Sequence, residues 1–182
     1  MDQENITLIS FGYFEKGLLE MITRDVMLEY MLPVKIKEGY LDLSEFFDPS
    51  RKQYNGTLIL KKIESGFSSD TTKTIALFNV DLFIPILTYI FGQAYLNGRS
   101  GIVSVYRFSN ERYGIKKDEK IIVDRFRKEV IHELGHTFGL ILCYDPACVM
   151  RSSTYVEDID QKTHNLCDKC RILLDIPRIN VR

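Results

Sequence analysis

Two hydrophobic periodicities alternate along the first 140 residues of the chain. Residues 5–11 and 34–36 alternate between polar and apolar side chains, and residues 74–80 are densely apolar, as in a buried strand. Apolar residues at intervals of three and four predict helices over residues 14–31, 50–63 and 117–140. A turn-rich spacer separates two further strand candidates, residues 90–96 and 102–108, and predicts that they pair antiparallel. This order of elements predicts an α/β fold with a mixed sheet, followed by an irregular tail.

The nearly neutral charge balance argues against nucleic acid and anionic lipid as partners. The chain has 182 residues, with 24 Lys and Arg against 25 Asp and Glu, so no overall basic field attracts nucleic acid or anionic lipid. Acidic residues occupy the start, where a secretory signal carries Lys or Arg. The longest apolar stretch, residues 82–92, is interrupted by Pro85 and Thr88 and is shorter than the roughly 20 residues of a membrane span. We therefore predict a cytoplasmic protein without a membrane or nucleic-acid partner, of open oligomeric state.

All four cysteines lie close to the C-terminus. Their spacing is C-x4-C, a gap of 18 residues, and C-x2-C, formed by Cys143, Cys148, Cys167 and Cys170. Two close pairs of this kind are typical of a tetrahedral zinc site, particularly in a reducing cytosol. Two disulfides are the alternative interpretation.

A second metal motif precedes the cysteines on the last predicted helix. His132, Glu133 and His136 form H-E-x-x-H, in which residues four apart lie on one helical face and turn two imidazoles toward one ion. Glu133 is placed to accept a proton from a metal-bound water. The alternative is that both histidines pack or cap the helix while Glu133 is a solvated charge.

The residues around this motif resemble a known family. Gly139 and Met150 extend H-E-x-x-H toward the metzincin pattern of H-E-x-x-H-x-x-G with a downstream methionine turn. The four cysteines behind the motif resemble those of the archaemetzincins. Weaker similarity extends upstream, at Arg51-x-Gln53-Tyr54, Asp81-Leu82-Phe83, and Phe91-Gly92-Gln93-Ala94 through Gly98-Arg99.

The resemblance implies a fold and an activity. The expected fold is a metzincin-like mixed, twisted sheet packed with helices, including the active-site helix, plus an irregular zinc-bound C-terminal subdomain. One metallopeptidase domain would span residues 1–182, with the α/β part to about residue 141 and the cysteine part after it. The expected activity is hydrolysis of peptide or protein substrates, with a catalytic zinc at His132 and His136 and a structural zinc at the four cysteines. Gly139 would end the helix with a positive φ.

One position departs from the family pattern. The third zinc-binding histidine of a metzincin would stand at residue 142, but this chain has Leu142, which offers no lone pair. A replacement ligand from Asp145, His164 or Cys143 is one account. Loss of the metal site, natural or introduced, is the other, and it predicts impaired activity.

Three functional hypotheses follow. In the first, Glu133 is the general base of a zinc metallopeptidase, and the strand at residues 90–96 is the sheet edge along which an extended peptide pairs. In the second, the chain is a non-catalytic zinc- and peptide-binding member of the family. A third, less favoured alternative is nucleic-acid binding through a basic tail that contains Lys169, Arg171, Arg178 and Arg182.

Overall fold

The computed structural model describes residues 5–177, so Arg178 and Arg182 of the basic tail lie outside the described residues. The strands are β1 (Asn5–Phe11), β2 (Val34–Gly39), β3 (Phe47–Asp48), β4 (Gln53–Asn55), β5 (Thr72–Phe78), β6 (Leu82–Ile84), β7 (Leu87–Ile90), β8 (Gly92–Ala94) and β9 (Ser100–Ser104). The helices are α1 (Lys16–Tyr30), α2 (Gly56–Gly66), α3 (Glu119–Thr137), α4 (Val156–Gln161) and α5 (Asp168–Leu173).

Five strands form the main sheet, in the order β2-β1-β5-β9-β8. The first four run parallel to one another, while β8 pairs antiparallel with β9 at the edge. The predicted mixed sheet and its antiparallel pair are therefore confirmed. A second sheet of short strands, in the order β3-β4-β6-β7, was not predicted.

Each central strand of the main sheet divides its apolar side chains between two layers. In β1, Ile6 and Leu8 face a core shared with α1 and α3, whereas Ile9 and Phe11 face a core shared with α2. This division follows from the two-residue period of a strand. Helices thus cover both faces of the sheet, as expected for parallel strands.

The predicted helix over residues 50–63 is wrong at its start. Residues 53–55 form β4, and α2 begins at Gly56, where the Asn55 side chain caps it by accepting a hydrogen bond from the Leu58 amide at 3.2 Å. An asparagine N-cap supplies an acceptor that the first turn of a helix lacks, and this fixes the boundary. The predicted strand over residues 90–96 is likewise two strands, β7 and β8, which belong to different sheets.

The C-terminal part holds two short helices within otherwise irregular chain. One of its contacts with the α/β part is a buried ion pair, in which Arg171 of α5 donates to the carboxylate of Glu29 on α1. The same carboxylate accepts a hydrogen bond from the Leu166 amide at 2.7 Å. Among residues 5–177, no helix has the length and apolar character needed to span a membrane.

Candidate metal centre and peptide cleft

Helix α3 presents the H-E-x-x-H residues beneath the edge of the main sheet. It begins after Asp118, whose carboxylate accepts hydrogen bonds from the amides of Lys120 and Ile121. It ends before Gly139, which has a φ of 93°, a conformation that glycine adopts without strain. The chain can therefore reverse there, as predicted, and residues 140–142 return toward the histidines.

The two imidazoles of α3 face each other through their Nε2 atoms, 3.1 Å apart. The Nδ1 atom of His132 lies 2.8 Å from the Val149 carbonyl, and that of His136 lies 2.7 Å from the Leu140 carbonyl. Because a carbonyl oxygen can only accept, each Nδ1 carries the proton in the neutral ring, which leaves both Nε2 lone pairs directed at each other. Such an arrangement is repulsive without a cation between the rings, so it fits two ligands of one metal ion.

The electrostatics of the pair are consistent with metal binding. Burial is the main cause that lowers the pKa of His132 well below its ordinary value, and the positive charge of Lys162 adds to it. Burial also lowers the pKa of His136. Both rings are therefore neutral at physiological pH, as a metal ligand must be.

The side chain at position 142 is apolar. Leu142 is 49% exposed and lines the cavity in front of His132 and Glu133. Among residues 5–177, no further histidine, cysteine or carboxylate joins the two imidazoles within 4.8 Å. The described residues thus bring two imidazole donors together here, one fewer than the three protein ligands of an ordinary catalytic zinc site.

The structure places the suggested replacement ligands elsewhere. The Asp145 carboxylate accepts a hydrogen bond from the Ala147 amide within the cysteine loop. His164 lines a separate cavity with Asp25 and Glu29 of α1. Cys143 lies with the other three cysteines.

Two buried charged residues beside Glu133 were missed by the sequence reasoning. Glu129, one turn earlier on α3, exchanges a hydrogen bond with the Glu133 carboxyl, and burial followed by the charge of Glu129 raises the pKa of Glu133 well above its ordinary value. Lys162, 2% exposed, donates to the Arg151 carbonyl at 2.9 Å and faces both carboxyls. The sequence does carry a signal for Glu129: it stands four residues before Glu133, so both lie on the same side of the helix.

A close approach between β8 and α3 forms the roof of the cavity. A Cβ atom at Gly92 would lie 2.8 Å from Cγ of Glu133 and 2.9 Å from its Oε1, so only glycine lets the strand pass directly above this carboxyl. The resulting cavity has a volume of about 370 Å³. Its walls are residues 87–92 on one side and residues 152–155 on the other, with Glu129, His132, Glu133 and Leu142 between them. We call it the cleft.

Met150 lies beneath the helix that carries the histidines. It is fully buried, and its thioether packs so closely on Gly135 that a Cβ at this glycine would collide with the sulfur. The Met150 carbonyl accepts a hydrogen bond from the Cys143 amide at 2.9 Å. The segment around Met150 therefore joins the cleft to the cysteine cluster.

The four cysteines converge as predicted. All four are free thiols, and their Sγ atoms lie within 4.8 Å of one another, so the disulfide alternative is wrong. The Sγ–Sγ distances of Cys143 to Cys167 and of Cys148 to Cys170 are both 3.8 Å. This is the edge of about 3.8 Å expected for a tetrahedron with zinc–sulfur bonds of about 2.3 Å. The donor set and its spacing thus fit a structural zinc ion.

The comparisons with solved structures establish the class of protein. Archaemetzincin from Methanopyrus kandleri superposes with a TM-score of 0.82 at 31% identity, covering 96% of this chain and 94% of that one. A zinc-dependent peptidase from Methanocorpusculum labreanum superposes with a TM-score of 0.80 at 28% identity, covering 93% of this chain and 100% of that one. The predicted fold is confirmed, and it is that of a zinc-dependent peptidase.

The sequence comparisons identify the family. The profile of Peptidase family M54 matches residues 10–175, so the chain belongs to this family of metallopeptidases. Archaemetzincin from Haloquadratum walsbyi is 40% identical over 134 residues, which cover 70% of this chain and 75% of that relative. Archaemetzincin from Thermococcus kodakarensis is 33% identical over 171 residues, which cover 91% of this chain and 92% of that relative.

Proposed function

We propose that the cleft binds an extended peptide by adding it as a strand to the edge of the main sheet. The amide of Ser104 donates to the Phe91 carbonyl, and the amide of Tyr95 donates to the Ser100 carbonyl, so these residues of the edge segment face β9. Because successive residues of a strand alternate, Gly92 and Ala94 direct their backbone groups away from β9, toward the cleft. A peptide in this position would lie directly over Glu133.

In this proposal the H-E-x-x-H residues have three roles. His132 and His136 hold a zinc ion, which when bound supplies Lewis-acid chemistry at the scissile carbonyl. Glu133 accepts the proton of the attacking water and returns it to the leaving amine. A cation at the imidazoles favours the ionised form of Glu133, because opposite charge lowers the pKa that burial has raised.

Leu142 sets the level of activity that we expect. With two protein ligands instead of three, the ion is held weakly, and peptide cleavage by this chain is impaired. The observation that carries the proposal is the pair of opposed Nε2 atoms at 3.1 Å, fixed by two carbonyls, with an apolar side chain at the third ligand position.

The test restores the missing ligand. Leu142→His is expected to increase cleavage of an internally quenched peptide by at least about tenfold, because it completes a three-ligand site. Ile115→His is the control, since it adds the same side chain at an exposed position outside the cleft. Adding Glu133→Gln to the restored chain should abolish cleavage while the second zinc equivalent stays bound. Equal activity of the native chain and Leu142→His would contradict the proposal.

A non-catalytic, peptide-binding role is the second candidate, and Leu142 is the observation that favours it. In that case the native chain binds the quenched peptide but leaves it intact even with excess zinc. Slow cleavage that rises with zinc concentration would instead support the impaired peptidase.

A further inference from the structure

A group of large apolar side chains is exposed beside the cleft, around the cysteine cluster. They come from two segments, the chain that leaves α3 and the end of α5. Their exposed fractions run from about one half to complete for Ile141, Leu142, Tyr144, Ile172 and Leu173, which we call the apolar rim. Single exposed apolar residues are common, but a contiguous group marks a surface that binds something.

The apolar rim is continuous with the cleft. Leu142 lines the cleft on one side and, on the other, a second cavity of about 340 Å³. This second cavity is lined by Ile141, Tyr144 and Leu173 together with residues of the cysteine loops. A chain that lies in the cleft and passes Leu142 therefore meets an apolar hollow next.

The contacts around the cleft indicate which of its ends adjoins the apolar rim. At one end the Tyr89 hydroxyl donates to the Thr154 carbonyl at 3.1 Å, which joins the two walls. Just past β8, beyond the residues that line the cleft, the Asn97 amide donates to the His136 carbonyl at 2.8 Å. The segment that follows His136 carries Leu142, so the rim lies at the end of the cleft away from the Tyr89 bridge.

The rim is held in place before any ligand arrives. Ile141 and Leu142 stand between two backbone hydrogen bonds, from the Leu140 amide to the Gly135 carbonyl and from the Cys143 amide to the Met150 carbonyl, both 2.9 Å. Helix α5, which carries Leu173, is fixed by the cysteines and by the buried ion pair of Arg171. A preorganised apolar surface loses little entropy when it binds an apolar side chain.

We propose that the apolar rim is a binding subsite for one bulky apolar side chain of a peptide that occupies the cleft. This inference rests on the proposed function, because it takes the cleft to hold a peptide. In this proposal, leucine at position 142 has two effects. It leaves the metal site without its third ligand, and it extends the apolar surface into the cleft. The chain would then select peptides by a Leu-like residue on the rim side of the bound segment.

The experiment uses the chain of 182 residues, loaded with zinc, and a set of fluorescein-labelled peptides. Each ten-residue peptide consists of Ala and Ser, with one Leu moved from position to position, and the parent has no Leu. Binding is measured by fluorescence anisotropy, and mass spectrometry checks that the peptides stay intact. One Leu position should improve Kd by at least about tenfold over the parent, since an apolar pocket discriminates by ~10–200-fold.

Rim variants show whether the gain comes from this surface. Ile141→Ser and Leu173→Ser should each reduce the Leu gain, the ratio of the Kd of the parent to that of the Leu peptide, to about twofold or less. Ile115→Ser is the matched control, because Ile115 is 57% exposed, compared with 68% for Ile141 and 66% for Leu173, and lies outside both cavities. This control should keep the full gain.

Four results would overturn the proposal. A Leu gain that survives both rim variants, while the parent still binds, overturns the subsite alone. Absence of binding by every peptide overturns the proposed function and the subsite with it. Equal binding of the parent and of every Leu peptide overturns the subsite as well. A dimer in sedimentation that Leu173→Ser dissociates overturns it too, because a second copy of the chain then occupies the rim.

Discussion

The buried ion pair between α1 and α5 allows a quantitative test of how the cysteine part is attached. Glu29 is 2% exposed and Arg171 is 4% exposed, so neither charge has access to bulk water. Replacing Arg171 by Met leaves the Glu29 carboxylate with the Leu166 amide as its remaining donor. Removing one member of a buried pair costs about 3–5 kcal/mol, because the other charge stays desolvated.

Protonation of Glu29 sets an upper limit on this cost. A glutamate with an ordinary pKa of 4.5 takes up a proton at pH 7 for about 3 kcal/mol, since each pH unit is worth about 1.4 kcal/mol. Arg171→Met should therefore lower the free energy of unfolding by about 2–3 kcal/mol at pH 7, a large part of the roughly 5–15 kcal/mol of an ordinary domain. Urea unfolding in excess zinc measures this difference, and hydrogen exchange should show the loss around α5 first.

The sign of the pH dependence follows from the same group. Burial raises the pKa of Glu29 in the folded chain, outweighing the Leu166 amide and the Arg171 charge that lower it, and loss of Arg171 raises the pKa further. A carboxyl with a raised pKa destabilises the fold when ionised, so the deficit of the variant shrinks as the pH falls below that pKa. At pH 5 it should be under about 1 kcal/mol.

Two controls complete this test. Arg24→Met removes an exposed pair partner on α1, and it should change stability by less than about 1 kcal/mol. The double variant Glu29→Met, Arg171→Met should recover most of the loss, because two apolar side chains leave no buried charge. An Arg171→Met variant within about 0.5 kcal/mol of the native chain at pH 7 would refute the reasoning.

The remaining predictions concern the metal-binding half. Gly135→Ala gains about 1 kcal/mol of helix propensity but costs about 1–3 kcal/mol in overpacking against Met150, so it should destabilise the chain. Gly17→Ala, with open space around it, should be neutral or stabilising in the same thermal melts. At the cysteine site, burial raises the pKa of Cys148 to about 11, so zinc must displace a proton there. Acidification or chelation should release this zinc and loosen residues 143–173 before the main sheet; exchange protection that persists there without zinc would contradict this role.

Many of the helices and strands could be predicted from the sequence, wherever a hydrophobic pattern repeats over several residues. Strand β1 has the predicted bounds, and α3 lies within the predicted helix, because both have long, regular periodicity. The cysteine cluster was predictable because two close cysteine pairs at this spacing are typical of a shared zinc site. The strands of the second sheet have two to four residues, too short for a period to show. Helices α4 and α5 have six residues each and lie next to the cysteine loops, so their positions depend on how these loops pack.

The candidate site was only partly predictable for a different reason. The histidines and Glu133 follow from spacing along one helix, but Lys162 reaches the same place from a segment 30 residues away. The positions of Asp145 and His164, both outside the cleft, depend on how the cysteine loops close. Contacts of this kind arise from tertiary packing, which a single sequence does not encode locally.

The measurement that tests the central claim most directly is zinc per chain, by elemental analysis, in the native protein and in Leu142→His. The account predicts about one equivalent of zinc in the native chain after dialysis, held by the four cysteines. It predicts about two equivalents in Leu142→His, in which a third histidine joins His132 and His136. Two equivalents in the native chain, or one in Leu142→His, would contradict it.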